Sequence, residues 1–227
     1  MATGSGNTNF SLTSVAVQRE PIAIVGMGYR LPGHATSPPK LWDLLTQTKS
    51  GHVGVHLSRY NSEGFHHPDA ERPGSINSKG GYFIQEDIRA FENAFFNINN
   101  IEATYMDAQQ RKLLEVVYDS FHSADVPLSR INGYNTDIYV GNFTNDFMIM
   151  QYKDPDYFSR YGATGVGHTV LSTCITHCLD LHGPSVVLDT ACSSSSYALH
   201  SAYLALSAHE CDAAVVASAN LIQSPEQ

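Results

Sequence analysis

The stretch SVVLDTACSSSSYALHSAYLALSAHECDAAVVA at residues 185–217 constrains the fold more than any other part of this chain. Residues 185–189 and 212–217 are short apolar runs that are typical of buried strands, and the Ala-rich residues 193–208 between them predict a helix. The stretch therefore predicts a strand–helix–strand unit of an α/β fold.

Strands and helices also alternate through the rest of the chain. Residues 22–25 (IAIV) and 136–141 (TDIYVG) predict two further strands. Helices are predicted at residues 38–48, from Asp107 onward and at 166–179. Asp107 and Gln110 are interpreted as a capping box at the start of the middle helix. The alternation predicts a layered α/β fold with a mixed sheet.

Two segments are predicted to lie outside the regular elements. Residues 1–20 lack the charged and apolar regions of a secretory signal, and they are interpreted as a flexible leader ahead of a domain at 21–227. Residues 51–81 are polar and rich in Gly, Pro and His, which is typical of a long surface excursion.

Composition excludes several classes of function. The net charge is −9 and no basic run is present, which argues against nucleic-acid binding because that depends on Lys and Arg at the phosphates. No apolar stretch approaches the roughly 20 residues that cross a bilayer. With four cysteines and no signal peptide, reduced thiols and a cytoplasmic location are expected.

Cys192 is the main candidate for chemistry. A strand, a sharp turn, a cysteine and a helix follow one another, as in a nucleophile elbow. The helix N-terminus has unpaired N–H groups and a positive dipole end, and both favour the thiolate, which is the attacking form. The residues alone leave a second interpretation open, because a buried structural cysteine is a common fate of this residue type.

Other patterns in the sequence favour structural roles. Residues 26–31 lack the third glycine of a dinucleotide-binding motif, since Leu31 stands at that position. Cys174, His177 and Cys178 share a helical segment, but no second cluster supplies further metal ligands, so core packing is the favoured interpretation. Neither a metal site nor a directly bound cofactor is predicted.

Several motifs make residues 21–227 resemble the β-ketoacyl synthase (ketosynthase) domain of fungal highly reducing type I polyketide synthases, N-terminal half only. DTACSSS and its flanks are similar to the active-site motif of that family. The motifs occur in the family's order: PIAIVGMGYRLPG, SPPKLWDLL, FHHPDAERPGSINSKGGYF, MDAQQRKLLEVVYDS, VGNFTNDF, YGATGVGHTVLS, LHGPSVVLDTACSSS and CDAAVVASANLIQSPEQ. Thr173-Cys174 and Ser196-Tyr197 depart from the family pattern.

The resemblance implies a thiolase-like fold, truncated to its N-terminal half, with a layered α/β arrangement and a mixed sheet of the five-stranded type. It also implies a decarboxylative Claisen condensation of acyl and malonyl thioesters in polyketide biosynthesis, with Cys192 as the acyl-accepting nucleophile. The acyl groups would arrive on the phosphopantetheine arm of an acyl carrier protein. The carrier protein, other polyketide synthase domains and a second copy of the chain are the partners that the family suggests.

The two histidine motifs of the family, His-Gly-Thr-Gly-Thr and Asn-x-Gly-His, do not occur in these 227 residues. His200 is expected to lie roughly 12 Å from Cys192 along the helix, which is too far for a hydrogen bond. His182 is expected about 17 Å or more away, at the opposite end of the strand. His168 lies at a predicted helix start and is interpreted as structural. The chain is therefore expected to lack condensation activity on its own, with self-acylation of Cys192 as the remaining half-reaction. A non-catalytic binding partner of a full-length synthase or carrier protein, and a remnant without function, are the alternatives.

Overall fold

The structure is a computed structural model that describes residues 20–154, 156 and 159–225. The predicted leader at 1–20 lies outside these residues except for Glu20. The helices are α1 (Pro38–Thr46), α2 (Asn100–Tyr105), α3 (Ala108–Ser123), α4 (Asp146–Tyr152), α5 (Gly162–Val166), α6 (Val170–Cys178) and α7 (Ser194–Ser207). The strands are β1 (Val53–Gly54), β2 (Gly80–Gly81), β3 (Thr136–Gly141), β4 (Ser185–Leu188) and β5 (Ala213–Ser218). Ser62–Gly64 and Leu128–Arg130 form 3-10 turns.

Three strands form the central sheet, in the order β4-β3-β5. All pairs are parallel, and Ile138 of β3 lies opposite Ser185 of β4 and Val215 of β5. β1 and β2 pair antiparallel in a separate two-stranded sheet. The described residues thus contribute three parallel strands, where the sequence predicted a mixed sheet of the five-stranded type.

The two faces of β3 carry different layers of the fold. Ile138 and Val140 are fully buried and belong to the main core cluster, together with Leu114 of α3 and Ile175 of α6. Because side chains alternate across a strand, Gly141 belongs to the opposite face. α7 packs on that face.

The close packing of α7 follows from its small side chains. Ala198, Ala202 and Ala205 recur at helical spacing and are at most 4% exposed. They let the helix lie near the strands, since a larger side chain at these positions would hold it away. The predicted helix at 193–208 is thereby confirmed with ends one residue shorter.

The predicted strand at residues 22–25 is wrong. None of these residues lies in a strand, and Ile24 and Val25 are each 74% exposed. The chain that follows lies along α3 instead: the N–H of Met27 donates to Ser123 Oγ at 2.8 Å, and Gly26 lies against the carbonyl of Ser120. An apolar run becomes a strand only where a neighbouring strand pairs with it, and no described strand does.

Two further predictions need correction within the sheet and helices. β4 and β5 were predicted as buried strands, but both are partly exposed because each has a described neighbour on one side only; Val186 is 38% exposed. The helix predicted at 166–179 is α6, which begins at Val170, because Val166 is the last residue of the separate helix α5. The break falls at Gly167, whose backbone is extended with φ −62° and ψ 125°.

The predicted capping box at α3 is half right. Asp107 caps the helix, but its carboxylate accepts from the N–H of Gln109 at 2.9 Å. Gln110 does not return to Asp107; its amide nitrogen donates to the carbonyl of Thr164 at 3.1 Å. The N–H of Asp107 donates to the carbonyl of Gly165 at 2.8 Å, so a distant backbone group replaces the expected glutamine.

None of the described helices combines the length and apolar character that crossing a membrane requires.

Candidate active site

Cys192 lies in the sharp turn between β4 and α7. β4 ends at Leu188, and α7 begins at Ser194 with Ser193 as its N-cap residue, so the cysteine directly precedes the cap. Ala191 has a φ of 56°, in the left-handed region that residues other than glycine rarely adopt. Cys192 is exposed. We call residues 189–194 the elbow, because strand, strained turn and helix follow one another as in nucleophile elbows.

Side chains of the elbow hydrogen-bond its own backbone. The N–H of Ala191 donates to Asp189 Oδ1 at 3.1 Å. Ser193 Oγ donates to the carbonyl of Thr190 at 2.7 Å. Ser194 Oγ accepts from the N–H of Thr190 at 2.9 Å and donates to the carbonyl of Ala191 at 2.6 Å. The turn is therefore held by local bonds on both sides of the strained residue.

Gly141, at the end of β3, packs against the backbone at the start of α7. A Cβ at this position would lie 2.6 Å from both the carbonyl carbon of Ser194 and the nitrogen of Ser195. Only glycine allows the start of α7 to lie so near the strand. The end of β3 thus fixes where the helix N-terminus stands.

The N-terminus of α7 lies directly after Cys192. α7 has 14 residues and no acidic residue in its first turn. Its unpaired N–H groups carry the positive end of the helix dipole, roughly half an elementary charge. The nearest carboxylate in sequence, Asp189, is bonded to the N–H of Ala191. Cys192 thus stands directly before the end of α7 at which the unpaired N–H groups lie.

The other three thiols have surroundings that keep them protonated. Burial raises the pKa of Cys174 to about 12. Burial and, to a lesser degree, Glu102 raise the pKa of Cys178 to about 11. Burial and the neighbouring Asp137 carboxylate raise the pKa of Cys211 to about 11. Cys174 and Cys178 pack against the main core cluster, so the interpretation of their segment as core packing is confirmed.

The histidines considered from the sequence have other surroundings than the thiol. His168 is half-buried, between α5 and α6, and its Nε2 is hydrogen-bonded to Asn142 Oδ1. His182 Nε2 lies 3.3 Å from Asp180 Oδ1 at the surface. His200 is exposed on α7. Across the described residues, no hydrogen bond joins any of the three to Cys192.

Sequence reasoning missed a buried polar network at the carboxyl end of β3. Gln109 Oε1 accepts from Asn142 Nδ2 at 2.9 Å and from the N–H of Leu221 at 3.2 Å. Asn142 Nδ2 also donates to the carbonyl of Ala219 at 2.7 Å. Asp146 Oδ2 accepts from the N–H of Gln223 at 2.8 Å. The polar run NFTND directly after β3 was the available signal, because polar groups at strand ends must find partners when buried.

Two solved ketosynthases resemble this chain in fold. The chain is similar to the ketosynthase from module 6 of the bacillaene synthase of Bacillus subtilis, with 29% identity and a TM-score of 0.76 over 90% of this chain and 32% of that one. It is also similar to the oxazolomycin ketosynthase domain OzmH KS7 from Streptomyces albus, with 26% identity and a TM-score of 0.81 over 89% of this chain and 34% of that one. The fold defines a thiolase-like α/β protein, as the sequence predicted.

The family follows from the sequence comparisons. The model for the N-terminal domain of β-ketoacyl synthases matches residues 19–227. The chain belongs to the β-ketoacyl synthase family. It is 57% identical over 209 residues to the highly reducing polyketide synthase srdA of Neurospora crassa, covering 92% of this chain and 9% of that protein. It is 58% identical over 208 residues to highly reducing polyketide synthase 19 of Pyricularia oryzae, covering 92% and 8% respectively.

These comparisons confirm the resemblance to ketosynthases of fungal highly reducing polyketide synthases. The chain spans less than a tenth of the length of these curated relatives and about a third of the solved chains.

Proposed function

We propose that these 227 residues are part of a condensing domain of polyketide biosynthesis and that Cys192 is its acyl-accepting nucleophile. One observation carries the proposal: an exposed thiol stands on a strained turn at the N-terminus of a 14-residue helix, directly after a strand. Strained backbone at such a turn is typical of sites where a nucleophile is presented to its substrate. The other three thiols have raised pKa values and would react poorly.

The first step of the proposed reaction is acyl transfer to Cys192. Its thiolate attacks the carbonyl carbon of an acyl group that a carrier protein presents on phosphopantetheine. The new bond joins Sγ to the acyl carbon, the bond to the pantetheine sulfur breaks, and that sulfur takes up the proton that Cys192 lost. The elbow supports this step by presenting the sulfur to solvent, where a pantetheine arm can reach it.

The second step is carbon–carbon bond formation. A malonyl thioester releases CO2, and the electron pair left on its α-carbon attacks the acyl group on Cys192. The bond to Sγ then breaks and the thiolate is regenerated, so the product is a β-ketoacyl thioester on the carrier protein. This step needs proton-handling groups near the sulfur. Neither family histidine motif occurs in these 227 residues. We therefore propose that these residues alone do not complete the condensation step.

The proposal includes the setting and the partners of the chain. An acyl carrier protein and other polyketide synthase domains are its expected partners, with a second copy of the chain as a further candidate. A cytoplasmic location would keep Cys192 reduced, as thiolate chemistry requires. The chain would bind no cofactor directly, because the phosphopantetheine belongs to the carrier protein.

Acylation of the purified chain tests the nucleophile. An acyl-pantetheine thioester is added, and intact mass followed by peptide mapping locates the adduct. The wild type and the control Cys178→Ala should gain one acyl group at Cys192, and Cys192→Ala should gain none. Equal acylation of Cys192→Ala would contradict the role of this thiol. A β-ketoacyl product after addition of malonyl-carrier protein would contradict the proposed stop at the acyl-enzyme.

The same material separates catalysis from simple binding. If the chain acts only as a binding partner, Cys192→Ala should form a stable complex with acyl carrier protein while no variant is acylated. Size-exclusion chromatography of wild type and variant with the carrier protein measures this.

A further inference from the structure

The serine run that follows Cys192 contains one member whose contacts differ from those of its neighbours. Residues 193–196 are all serine, but Ser195 and Ser196 are exposed. Ser194 is only 3% exposed, although its hydroxyl is polar. A buried hydroxyl needs hydrogen-bond partners to offset the loss of water. Its partners are the backbone of the elbow.

Ser194 hydrogen-bonds the backbone before and after the strained Ala191. Its hydroxyl accepts from the N–H of Thr190 at 2.9 Å and donates to the carbonyl of Ala191 at 2.6 Å. Its own N–H donates to the same carbonyl at 3.1 Å. The carbonyl of Ala191 belongs to the peptide group that continues into Cys192. Ser194 therefore fixes the orientation of the peptide plane from which the thiol side chain projects.

The end of β3 limits where the backbone of Ser194 can lie. Gly141 leaves no room between the end of β3 and the backbone of Ser194, as the 2.6 Å approach of a virtual Cβ shows. The hydroxyl thus connects a rigid strand end to a turn whose φ of 56° is intrinsically unfavourable for alanine. Without the hydroxyl, the turn would lose its bonds to the N–H of Thr190 and the carbonyl of Ala191. Ala191 would then shift more easily toward the conformations that alanine prefers, and Cys192 would move with it.

We propose that Ser194 is a positioning residue, which holds Ala191 in its left-handed conformation and thereby directs the sulfur of Cys192 toward the incoming thioester. This inference rests on the proposed nucleophile role of Cys192. Its effect is on geometry, and small misplacements of a reacting atom lower rates by as much as about a hundredfold.

The test measures acylation of Cys192 in the whole chain by an acyl-pantetheine thioester. Ser194→Ala should lower the maximal rate by about tenfold to a hundredfold, with the half-saturating thioester concentration unchanged. Ser201→Ala is the matched control, because it also removes a serine hydroxyl from α7, where Ser201 Oγ donates to the carbonyl of Tyr197 at 2.9 Å. This control should acylate like the wild type.

A double substitution distinguishes positioning from a general loss of structure. Glycine adopts a positive φ without penalty. In the Ala191→Gly background, Ser194→Ala should therefore cost less of the maximal rate than it costs in the wild type, so the two substitutions are non-additive. If Ser194→Ala alone fails to fold by circular dichroism, Ala191→Gly/Ser194→Ala should fold, because its elbow no longer depends on the hydroxyl.

The outcomes separate this inference from the function on which it rests. A wild-type chain that forms no adduct at Cys192 overturns the proposed function. Normal acylation of the wild type together with an equal rate in Ser194→Ala overturns the positioning role and leaves the nucleophile in place. Strict additivity of the two substitutions would also overturn it.

Discussion

The elbow and the α6 thiols, Cys174 and Cys178, use the same residue type in opposite ways. Cys192 stands just before the N-terminus of α7 and is exposed. Cys178 is the last residue of α6, and both α6 thiols pack against the main core cluster. A helix presents partial positive charge at its N-terminus and partial negative charge at its C-terminus. Under the proposed function, the different surroundings of these cysteines decide which thiol accepts the acyl group.

The backbone differs between the two regions as well. The elbow holds Ala191 at a φ of 56°. Ser193 Oγ donates to the carbonyl of Thr190, and Ser194 Oγ donates to the carbonyl of Ala191. The α6 thiols lie in a regular helix, where Cys174 Sγ donates to the carbonyl of Leu171 at 3.4 Å. In these two regions, the unfavourable backbone conformation lies next to the exposed thiol, and the packed thiols lie in regular helical backbone.

The largest expected difference between the two regions is thiol alkylation. At pH 7 only about one in ten thousand Cys178 side chains is a thiolate, because its pKa is about 11. Iodoacetamide should therefore modify Cys192 first, and peptide mapping should find Cys178 unmodified. Raising the pH should increase the rate at Cys178 about tenfold per unit until its pKa is reached. Alkylation of Cys192 and Cys178 at similar rates at pH 7 would contradict the proposed difference in reactivity between the elbow thiol and the α6 thiol.

The next largest effect is expected from Gly141→Ala, which challenges the support of the elbow. The new Cβ would lie 2.6 Å from the backbone of Ser194, so either β3 or α7 must shift, at a cost of about 1–3 kcal/mol. Gly162→Ala is the control, since nothing lies within 4 Å of its virtual Cβ. It should be neutral or stabilising by up to about 1 kcal/mol. Urea unfolding measures the stability of both variants. Equal midpoints for Gly141→Ala and Gly162→Ala would show that the close approach of β3 to α7 does not contribute to stability.

The sequence predicted the parts of the site that depend on local pattern. β3 was predicted with its observed bounds, Thr136–Gly141, and α7 within one residue at each end. Strand, turn, cysteine and helix are contiguous, so the elbow around Cys192 was predictable from its spacing alone. The left-handed φ of Ala191 was not, because alanine gives no signal for a conformation that it rarely adopts.

The parts that failed depend on partners far away in the chain. The apolar residues 22–25 have the composition of a strand, but composition does not say whether a neighbouring strand exists. Gln109 and Gln110 are adjacent and identical, yet the amide of Gln109 reaches Leu221, 112 residues away, while that of Gln110 reaches Thr164. Only the three-dimensional packing decides which of two neighbouring amides faces which segment.

A smaller effect, of opposite sign, is expected from Ala191→Gly. Glycine removes the left-handed penalty of about 1–2 kcal/mol, and the greater freedom of the unfolded chain returns part of it. The net result should be a stabilisation of about 1 kcal/mol or less. Ala163→Gly, on the exposed side of α5, makes the same chemical change and should destabilise by about 0.5–1 kcal/mol. Thermal unfolding compares them, and destabilisation by both would mean that Ala191 is not strained.

The smallest expected difference concerns the contribution of the thiols to stability. Cys174→Ala removes a sulfur that packs against the core cluster and should cost about 1 kcal/mol. Cys192→Ala removes an exposed sulfur and should change the free energy of unfolding by less than about 0.5 kcal/mol. Urea midpoints of the two variants measure the difference. A cost at Cys192 as large as that at Cys174 would mean that the elbow thiol also serves packing, and the contrast between a presented and a packed cysteine would fail.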